Sequence, residues 1–318
     1  MRDRGALAWI LLGLLLAPGL VPHAAADATA IVGATLPTAR HSTSAVWTGT
    51  YVFIFGGVND TGPFDEILRY DPASDTLTTM GGKLPSGRYV TSAVWDGSNA
   101  YIFGGSDGTA DLLDEIVRYD PAADSVTTMG AKLPSPRGWT SAVWAGSAAY
   151  VFGGFGGGAY HRKVVRYTPS NDTVTEMGGS LPSPGNYLTS GAVWDGSDAF
   201  IFGGSNGINP PLKTVVRYSP SSDAVAVMNA TLPTGRYYTS AIWEGANAYI
   251  FGGHDGNYLA EILRYTPAAD TLMVMEGTLP TGRYQASAAW NGSRPFIFGG
   301  WDGDYIDEIV RYDLPLDQ

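Results

Sequence analysis

The chain has 318 residues, of which 44% are hydrophobic, and its formal net charge is −11 at pH 7. A chain of this length buries enough apolar surface to fold without covalent or metal cross-links. It contains no cysteine, which excludes disulfides, cysteine-ligated zinc and thiol nucleophiles. The acidic balance argues against a nucleic acid partner, because such binding requires a basic surface.

Residues 1–26 have the composition of a secretory signal peptide. MRDRG is a short, Arg-bearing start, the next sixteen residues are apolar, and Ala24 and Ala26 form an Ala-x-Ala cleavage pattern. Because the apolar run is short and contains Pro18, we favour cleavage after Ala26 over a retained membrane anchor. We therefore expect an extracytoplasmic protein that is secreted, periplasmic or at the cell surface, with no membrane span after cleavage.

From residue 27 onward, one unit recurs six times at intervals of 47 to 50 residues. Its most constant segment is Phe-Gly-Gly, which begins at Phe55, Phe103, Phe152, Phe202, Phe251 and Phe298. A Trp precedes each Phe-Gly-Gly segment, and an Arg-Tyr pair follows it. Such regular spacing is typical of repeat proteins in which each unit forms one small, self-contained element.

The second unit divides into four predicted strands, named A to D in chain order. Strand A is YVTSAVW (89–95), strand B is AYIFGG (100–105), strand C is DEIVRY (114–119) and strand D is DSVTTMG (124–130). An Asp-Gly pair between strands A and B is typical of a tight hairpin. Four antiparallel strands repeated six times predict an all-β, six-bladed β-propeller that occupies residues 27–318 as a single domain.

These units resemble the kelch repeat over the whole of residues 27–318. The resemblance rests on the double glycine after an aromatic-aliphatic strand, the Tyr-Asp-Pro that follows it, and the Arg ahead of strand A. The chain departs from the usual kelch pattern by placing its Trp at the end of strand A, whereas kelch units commonly carry one in strand D. The resemblance implies a propeller that binds its ligand on the face around the central channel.

The two ends of the domain are predicted to share the last blade. The sixth unit stops after strand C, because Asp317 aligns with Asp75, where strand D of the first blade begins. The segment DATAIVGATLP (27–37) has the pattern of a strand D that lacks the rest of its unit. We expect residues 28–33 to pair with the stretch near 307–312 and so to close the ring.

The start of strand A, the end of strand B and the start of strand C lie on one face, because successive strands alternate in direction. Residues on this face that differ between blades are candidates for function, whereas residues repeated in every blade serve packing. Aromatic side chains at the channel mouth suit sugar rings or an anchoring side chain of a protein. The alternative is that many of them pack between blades. The candidate ligand-binding residues are His41, Tyr89, Tyr160, His161, Arg162, Lys163, Tyr237, His254, Tyr258, Tyr284, Trp301 and Tyr305.

Charge at the start of strand C also differs between blades. Blades one, two, five and six carry acids there, such as Asp65 and Glu66, while blade three carries Arg162 and Lys163 and blade four carries Lys213. An acidic sector opposite a basic one would orient a polar or anionic ligand. The alternative is that these are solvated loop charges of small effect.

We expect a monomeric binding module whose partner is a glycan or an extracellular protein. One alternative is an exported sugar-active enzyme, such as a mutarotase or epimerase, that uses an acid such as Glu308 with His254; another is a structural envelope protein. No catalytic residue is identified. We expect no metal and no cofactor, because His41, His161 and His254 show no metal-ligand spacing.

Overall fold

A computed structural model describes residues 27–109, 111–182, 191–205 and 210–315. They form β-strands in six blade-like sheets and one 3-10 turn, Pro169–Asn171. Each blade contains four antiparallel strands in the order A-B-C-D, which confirms the predicted all-β, six-bladed propeller. In the described ranges no helix has the length and apolar character needed to cross a membrane. The predicted signal peptide, residues 1–26, and Asp317 lie outside the described residues.

The chain begins with β1 (Ala28–Thr35), which belongs to blade six. Blade one contains β2 (Ser44–Trp47), β3 (Val52–Phe55), the hairpin strands β4 (Val58–Asn59) and β5 (Gly62–Pro63), β6 (Glu66–Asp71) and β7 (Thr76–Lys83). Blade two contains β8 (Ser92–Trp95), β9 (Ala100–Phe103), β10 (Glu115–Asp120) and β11 (Ser125–Lys132). Blade three contains β12 (Gly138–Trp144), β13 (Ala149–Gly156), β14 (Ala159–Tyr160), β15 (Lys163–Thr168) and β16 (Thr173–Ser180).

Blade four contains β17 (Ala192–Trp194), β18 (Ala199–Phe202), β19 (Thr214–Ser219) and β20 (Ala224–Thr231). Blade five contains β21 (Ser240–Trp243), β22 (Ala248–Phe251), β23 (Glu261–Thr266) and β24 (Thr271–Thr278). Blade six contains β25 (Ser287–Trp290), β26 (Pro295–Phe298) and β27 (Glu308–Asp313), with β1 as its outer strand.

The core lies between neighbouring blades. The first four residues of each strand B are buried, because this strand has a neighbouring blade on both of its faces. The ring of Tyr119 in blade two packs edge-on against Phe53 and Phe55 of blade one, with centroids 5.4 and 5.9 Å apart. The same contact recurs at the other junctions, so the Arg-Tyr tyrosine is a structural residue, as predicted from its presence in every unit.

The inner strands meet around the channel through small polar side chains. The Ser44 hydroxyl lies 2.9 Å from the Thr91 hydroxyl of the next blade, and Ser92 lies 2.8 Å from Thr140. The six inner strands also surround a cavity of about 380 Å³, which is lined on each strand by the Trp and the two residues before it, Ala-Val, Ala-Ile or Ala-Ala. The Trp that departs from the usual kelch position therefore lines the channel here.

An aspartate at each turn from strand C to strand D binds the outer strand of the preceding blade. In blade two, Asp124 accepts hydrogen bonds from the Tyr119 hydroxyl at 2.9 Å and from the backbone N–H groups of Gly81 and Gly82 in blade one, at 2.8 and 3.1 Å. A bulge in β7 turns these amides towards the neighbouring blade. Burial acts to raise the pKa of Asp124, but its hydrogen bonds outweigh burial and lower the pKa below the ordinary 3.8.

This arrangement predicts loss of stability in acid. Asp124, Asp223 and Asp270 all have a lowered pKa in the folded protein. Their contribution is complete above the unfolded pKa and is lost as the pH falls through the lowered folded pKa. We expect the melting temperature to fall steeply below about pH 4, and Asp124→Asn to reduce both the melting temperature at pH 7 and the size of that fall.

Scanning calorimetry between pH 7 and pH 2 measures this dependence. The exposed loop residue Asp111 provides the matched control, and Asp111→Asn should retain the pH profile of the unchanged protein. Identical profiles for Asp124→Asn and the unchanged protein would contradict a role for this carboxylate in linking the blades.

The N-terminal strand closes the ring as predicted. β1 pairs antiparallel with β27, and Thr29, Ala30 and Ile31 lie opposite Tyr312, Arg311 and Val310. The Asp27 carboxylate accepts a hydrogen bond from the backbone N–H of Glu276 in blade five, at 3.1 Å. Asp27 thus takes the place that Asp124 has in blade two, and one segment links blades five and six.

Candidate functional site

The predicted ligand-binding face is built in the same way in blades one, two, three, five and six, while residues 183–190 of blade four lie outside the described residues. The residue after the Arg that precedes strand A pairs with the residue after Gly-Gly, as in the His41–Val58 and Tyr237–His254 bridges. The glycines are needed because another segment approaches closely: a Cβ atom on Gly56, whose φ is +61°, would lie 2.1 Å from the Arg88 carbonyl oxygen. The variable residues are therefore presented side by side at the mouth of the channel.

Eight aromatic or imidazole rings of blades five, six and one form a continuous patch, here named the aromatic surface. Its members are Tyr237, Tyr238, His254, Tyr258, Tyr284, Trp301, Tyr305 and His41. Seven of these were predicted from the sequence, and the structure brings them together. Their proximity follows from the ring, because the first and last blades are neighbours.

One half of the aromatic surface is centred on Tyr284. Its ring stacks on Tyr258 and Tyr238, with centroids 5.6 and 5.7 Å apart, and meets His254 edge-on at 5.3 Å. Tyr258 is 41% exposed, although it belongs to this cluster. The rings therefore hold one another in place while leaving aromatic surface open to solvent.

The other half is centred on Tyr305, which joins blades six and one. Its ring stacks on His41 at 5.5 Å and meets Trp301 edge-on at 4.7 Å, and its hydroxyl donates to Asp60 at 2.8 Å. The Trp301 indole N–H donates to the Tyr258 hydroxyl at 3.3 Å, which connects the two halves. Aromatics therefore pack between blades, as the alternative interpretation expected, and they also form a common surface.

His41 is held in its neutral form. Burial lowers its pKa to about 4, and its Nδ1 lies 2.7 Å from the Ser42 hydroxyl. At neutral pH the ring is therefore uncharged, and it contributes to the apolar character of the surface.

A pocket of about 590 Å³ opens between blades five and six beside the aromatic surface. It is lined by His254, Gly256, Asn257, Tyr258, Thr281, Gly282 and Asp302. The His254 Nδ1 accepts a hydrogen bond from the backbone N–H of Gly256 at 3.3 Å, which leaves Nε2 for other partners. The volume of the pocket is that of a small-ligand site, and its walls offer imidazole, carboxylate, phenol, amide and hydroxyl groups.

Sequence reasoning missed a second set of residues. Each of them directly follows the mouth residue that comes after the Arg. Ser42, Val90, Trp139, Tyr238 and Gln285 all have φ between 52° and 59°, a conformation that is unfavourable for a branched residue such as Val90. Their backbones are linked from blade to blade: Ser42 donates to Gln285, and Val90 donates to Ser42. Their positions in the sequence could have identified them. Each stands two residues after the repeated Arg, and the residue type differs in every one of these blades.

The remaining predicted residues belong to blades two and three, and Tyr160 is close enough to Tyr238 to add to the effect of burial in raising the pKa of Tyr238. Tyr89 pairs with Ser106 in blade two, and Tyr160 packs edge-on against Phe155 in blade three, at 4.9 Å. Arg162 donates to the Leu181 carbonyl at 2.8 Å. His161 and Lys163 belong to the same basic part of blade three and contact Ser135 and Gly178, at 3.3 and 3.0 Å.

The acids at the start of strand C are engaged in ion pairs. Glu66, Glu115, Glu261 and Glu308 each contact a buried arginine, at 2.6 to 3.0 Å. Glu308, the acid considered for catalysis, is bound to Arg283 in this way. These contacts compensate much of the negative charge of the expected acidic sector, and they give the four glutamates a structural role. Across the described part of the chain, no cluster of three or more His, Asp or Glu side chains is placed to hold a metal ion.

Comparison with known families agrees with the repeats and with the fold. Residues 44–229 match the family model described as the KLHDC2/KLHL20/DRC7 Kelch-repeats domain, and this range covers more than half of the chain. No curated protein matches the chain. With six four-stranded blades and a family match across blades one to four, the chain belongs to the kelch-repeat proteins.

Proposed function

We propose that this kelch propeller is an exported, monomeric binding module whose aromatic surface recognises a glycan, with an extracellular protein as the second candidate partner. The kelch propeller is a protein-interaction fold. The observation that carries the proposal is the continuous set of eight rings, two of which, His254 and Tyr258, also line the 590 Å³ pocket. Blade three carries a further set of three rings at this face, Trp139, Phe155 and Tyr160.

A sugar suits this surface for two reasons. The apolar faces of sugar rings stack on aromatic side chains, and Tyr258 and Trp301 are placed to offer such contacts. The hydroxyl groups of a sugar require hydrogen-bond partners, which Asn257, Thr281 and Asp302 supply beside the rings. A protein partner would use the same rings to hold one anchoring side chain.

Binding is tested with a glycan array, followed by calorimetry on any glycan that binds. We expect Trp301→Ala and Tyr258→Ala to weaken binding at least tenfold, because each removes a ring and breaks the contact between Trp301 and Tyr258. Tyr89→Ala is the matched control, since Tyr89 lies on the same face in blade two, and it should bind like the unchanged protein. Equal losses of affinity in all three variants would argue against the aromatic surface as the binding site.

The export part of the proposal rests on residues 1–26. We expect the mature protein to begin at Asp27, which preserves the carboxylate that contacts Glu276. N-terminal sequencing of the protein recovered from outside the cytoplasm checks this. A mature chain that retains the apolar segment would instead support a membrane anchor.

The pocket also keeps the sugar-active enzyme as a second candidate function, because His254 and Asp302 both line it. An imidazole and a carboxylate are the groups that acid–base catalysis on a sugar requires. Accelerated exchange between sugar anomers, followed by proton NMR, would support this function if Asp302→Asn abolishes it. Binding of a sugar without faster exchange of its anomers would instead support the binding module.

A further inference from the structure

Five arginines precede inner strands at equivalent positions and are almost completely buried. They are Arg40, Arg88, Arg137, Arg236 and Arg283, with exposed fractions of 0 to 2%. Four of them bind the glutamate at the start of strand C in the same blade, as in the contact of 2.7 Å between Arg40 Nη2 and Glu66 Oε2. Burying a guanidinium is costly unless its charge is paired, and the glutamate supplies that pair.

Blade three lacks this partner. Lys163 occupies the position of the glutamate, and its ammonium donates to the Gly178 carbonyl at 3.0 Å instead. The Arg137 guanidinium donates to Ser135, through Nη2 to the hydroxyl at 2.8 Å and Nε to the carbonyl at 3.3 Å. Among the described residues no carboxylate lies within 4.0 Å of Arg137, and its buried Nη1 makes no hydrogen bond.

Comparison with blade two shows which half of the site is missing. There, Arg88 Nη2 contacts both the Ser86 hydroxyl at 3.1 Å and the Glu115 carboxylate at 3.0 Å. Arg137 keeps the hydroxyl contact and lacks the carboxylate. The glutamate side chains of the four complete pairs are 28 to 38% exposed, so the carboxylate position lies at the boundary with solvent.

The nearby groups do not compensate the charge of Arg137. Burial, followed by the positive charge of Arg137, lowers the pKa of His161, so its ring is neutral at pH 7. The imidazole Nε2 lies 3.3 Å from the Ser135 hydroxyl. Glu176 attracts Arg137 only from a distance, without an ion pair.

We propose that Arg137 and Ser135 form a binding site for a carboxylate, which takes the place of the glutamate that blade three lacks. A carboxylate fits because the site keeps the buried arginine and the hydroxyl side chain that accompany a bound glutamate in blades two, five and six. The guanidinium offers Nη2, and the Ser135 hydroxyl is the second polar group of the site. This site lies in blade three, away from the aromatic surface, and it does not depend on the glycan proposal.

The test measures melting temperature against acetate concentration, with sodium chloride adjusted to keep the ionic strength constant. We expect acetate at about 100 mM to raise the melting temperature of the full mature protein by about 2–4 °C over chloride alone. The melting temperature is also measured against the concentrations of glucuronate and of glucose. A larger rise with glucuronate than with acetate would indicate a sugar acid as ligand, an equal rise would indicate a free small acid, and no rise is expected with glucose.

Lys163→Glu is the decisive variant, because it restores the glutamate found in four other blades. We expect it to melt higher than the unchanged protein without acetate and to lose the response to acetate. Lys132→Glu, at an exposed lysine of strand D in blade two, controls for the change in net charge and should keep the response. The proposal is wrong if acetate and chloride act alike on the unchanged protein, or if Lys163→Glu responds to acetate as the unchanged protein does.

Discussion

Removing residues 27–36 is expected to cost about 5 kcal/mol or more in the free energy of unfolding, or roughly 10–20 °C in melting temperature. The deletion takes away the whole outer strand of blade six, with its pairing to β27. It also removes Leu36, which is 1% exposed and packs in the core cluster that contains Phe298 and Ile309. Scanning calorimetry of the truncated and intact mature proteins measures the loss.

Two controls show whether the ring closure is responsible. Ile31→Thr changes a half-exposed residue of β1 without removing the strand, and it should shift the melting temperature by no more than about 2 °C. A synthetic peptide of residues 27–36, added to the truncated protein, should restore part of the loss by pairing with the open edge of β27. Truncation without measurable loss would contradict the closure.

The fold was predictable because each unit repeats the same local signals. The predicted pairing of residues 28–33 with the stretch near 307–312 is confirmed by the contacts of Thr29, Ala30 and Ile31 with strand β27. This success depended on one comparison, between a lone strand D pattern at one end and a unit without strand D at the other. Such a deduction requires neither side-chain geometry nor propensities.

The candidate site was predictable only in part. The sequence placed Trp301, Tyr258 and His41 on one face, and the structure adds that Trp301 contacts His41 of blade one and Tyr258 of blade five. Tyr238 was missed because its place in the surface depends on a left-handed backbone conformation that its residue type does not indicate. The assignment of ligand binding to the twelve candidate residues stays a prediction.

The role of the arginine that precedes strand A could not be predicted from the sequence pattern either. The sequence showed that an Arg precedes strand A in five units, but not that it is buried or that Glu66 is the partner of Arg40. The pair joins the segment before strand A to the start of strand C, and only the folded blade brings them together. Charges that were interpreted as an acidic sector are therefore mostly halves of ion pairs.

Replacing Arg40 by alanine is expected to cost about 3–5 kcal/mol in the free energy of unfolding. The guanidinium is fully buried, donates to Thr38, Gly56 and Glu66, and lies 3.8 Å from the centre of the Phe64 ring. Its loss leaves the Glu66 carboxylate and a buried carbonyl without their donor, and it opens a cavity beside Phe64. Urea denaturation followed by tryptophan fluorescence gives the free energy.

A second ion pair in the same blade supplies the control. Lys83 and Asp65 form a contact of 3.0 Å in blade one, but the lysine is 58% exposed, so Lys83→Ala should cost at most about 1 kcal/mol. A double-mutant cycle between Arg40 and Glu66 should give a larger coupling energy than one between Lys83 and Asp65, because water screens the second pair more strongly. Equal couplings would mean that burial adds nothing to the Arg40 pair, and the same reasoning for the unpaired Arg137 would then fail as well.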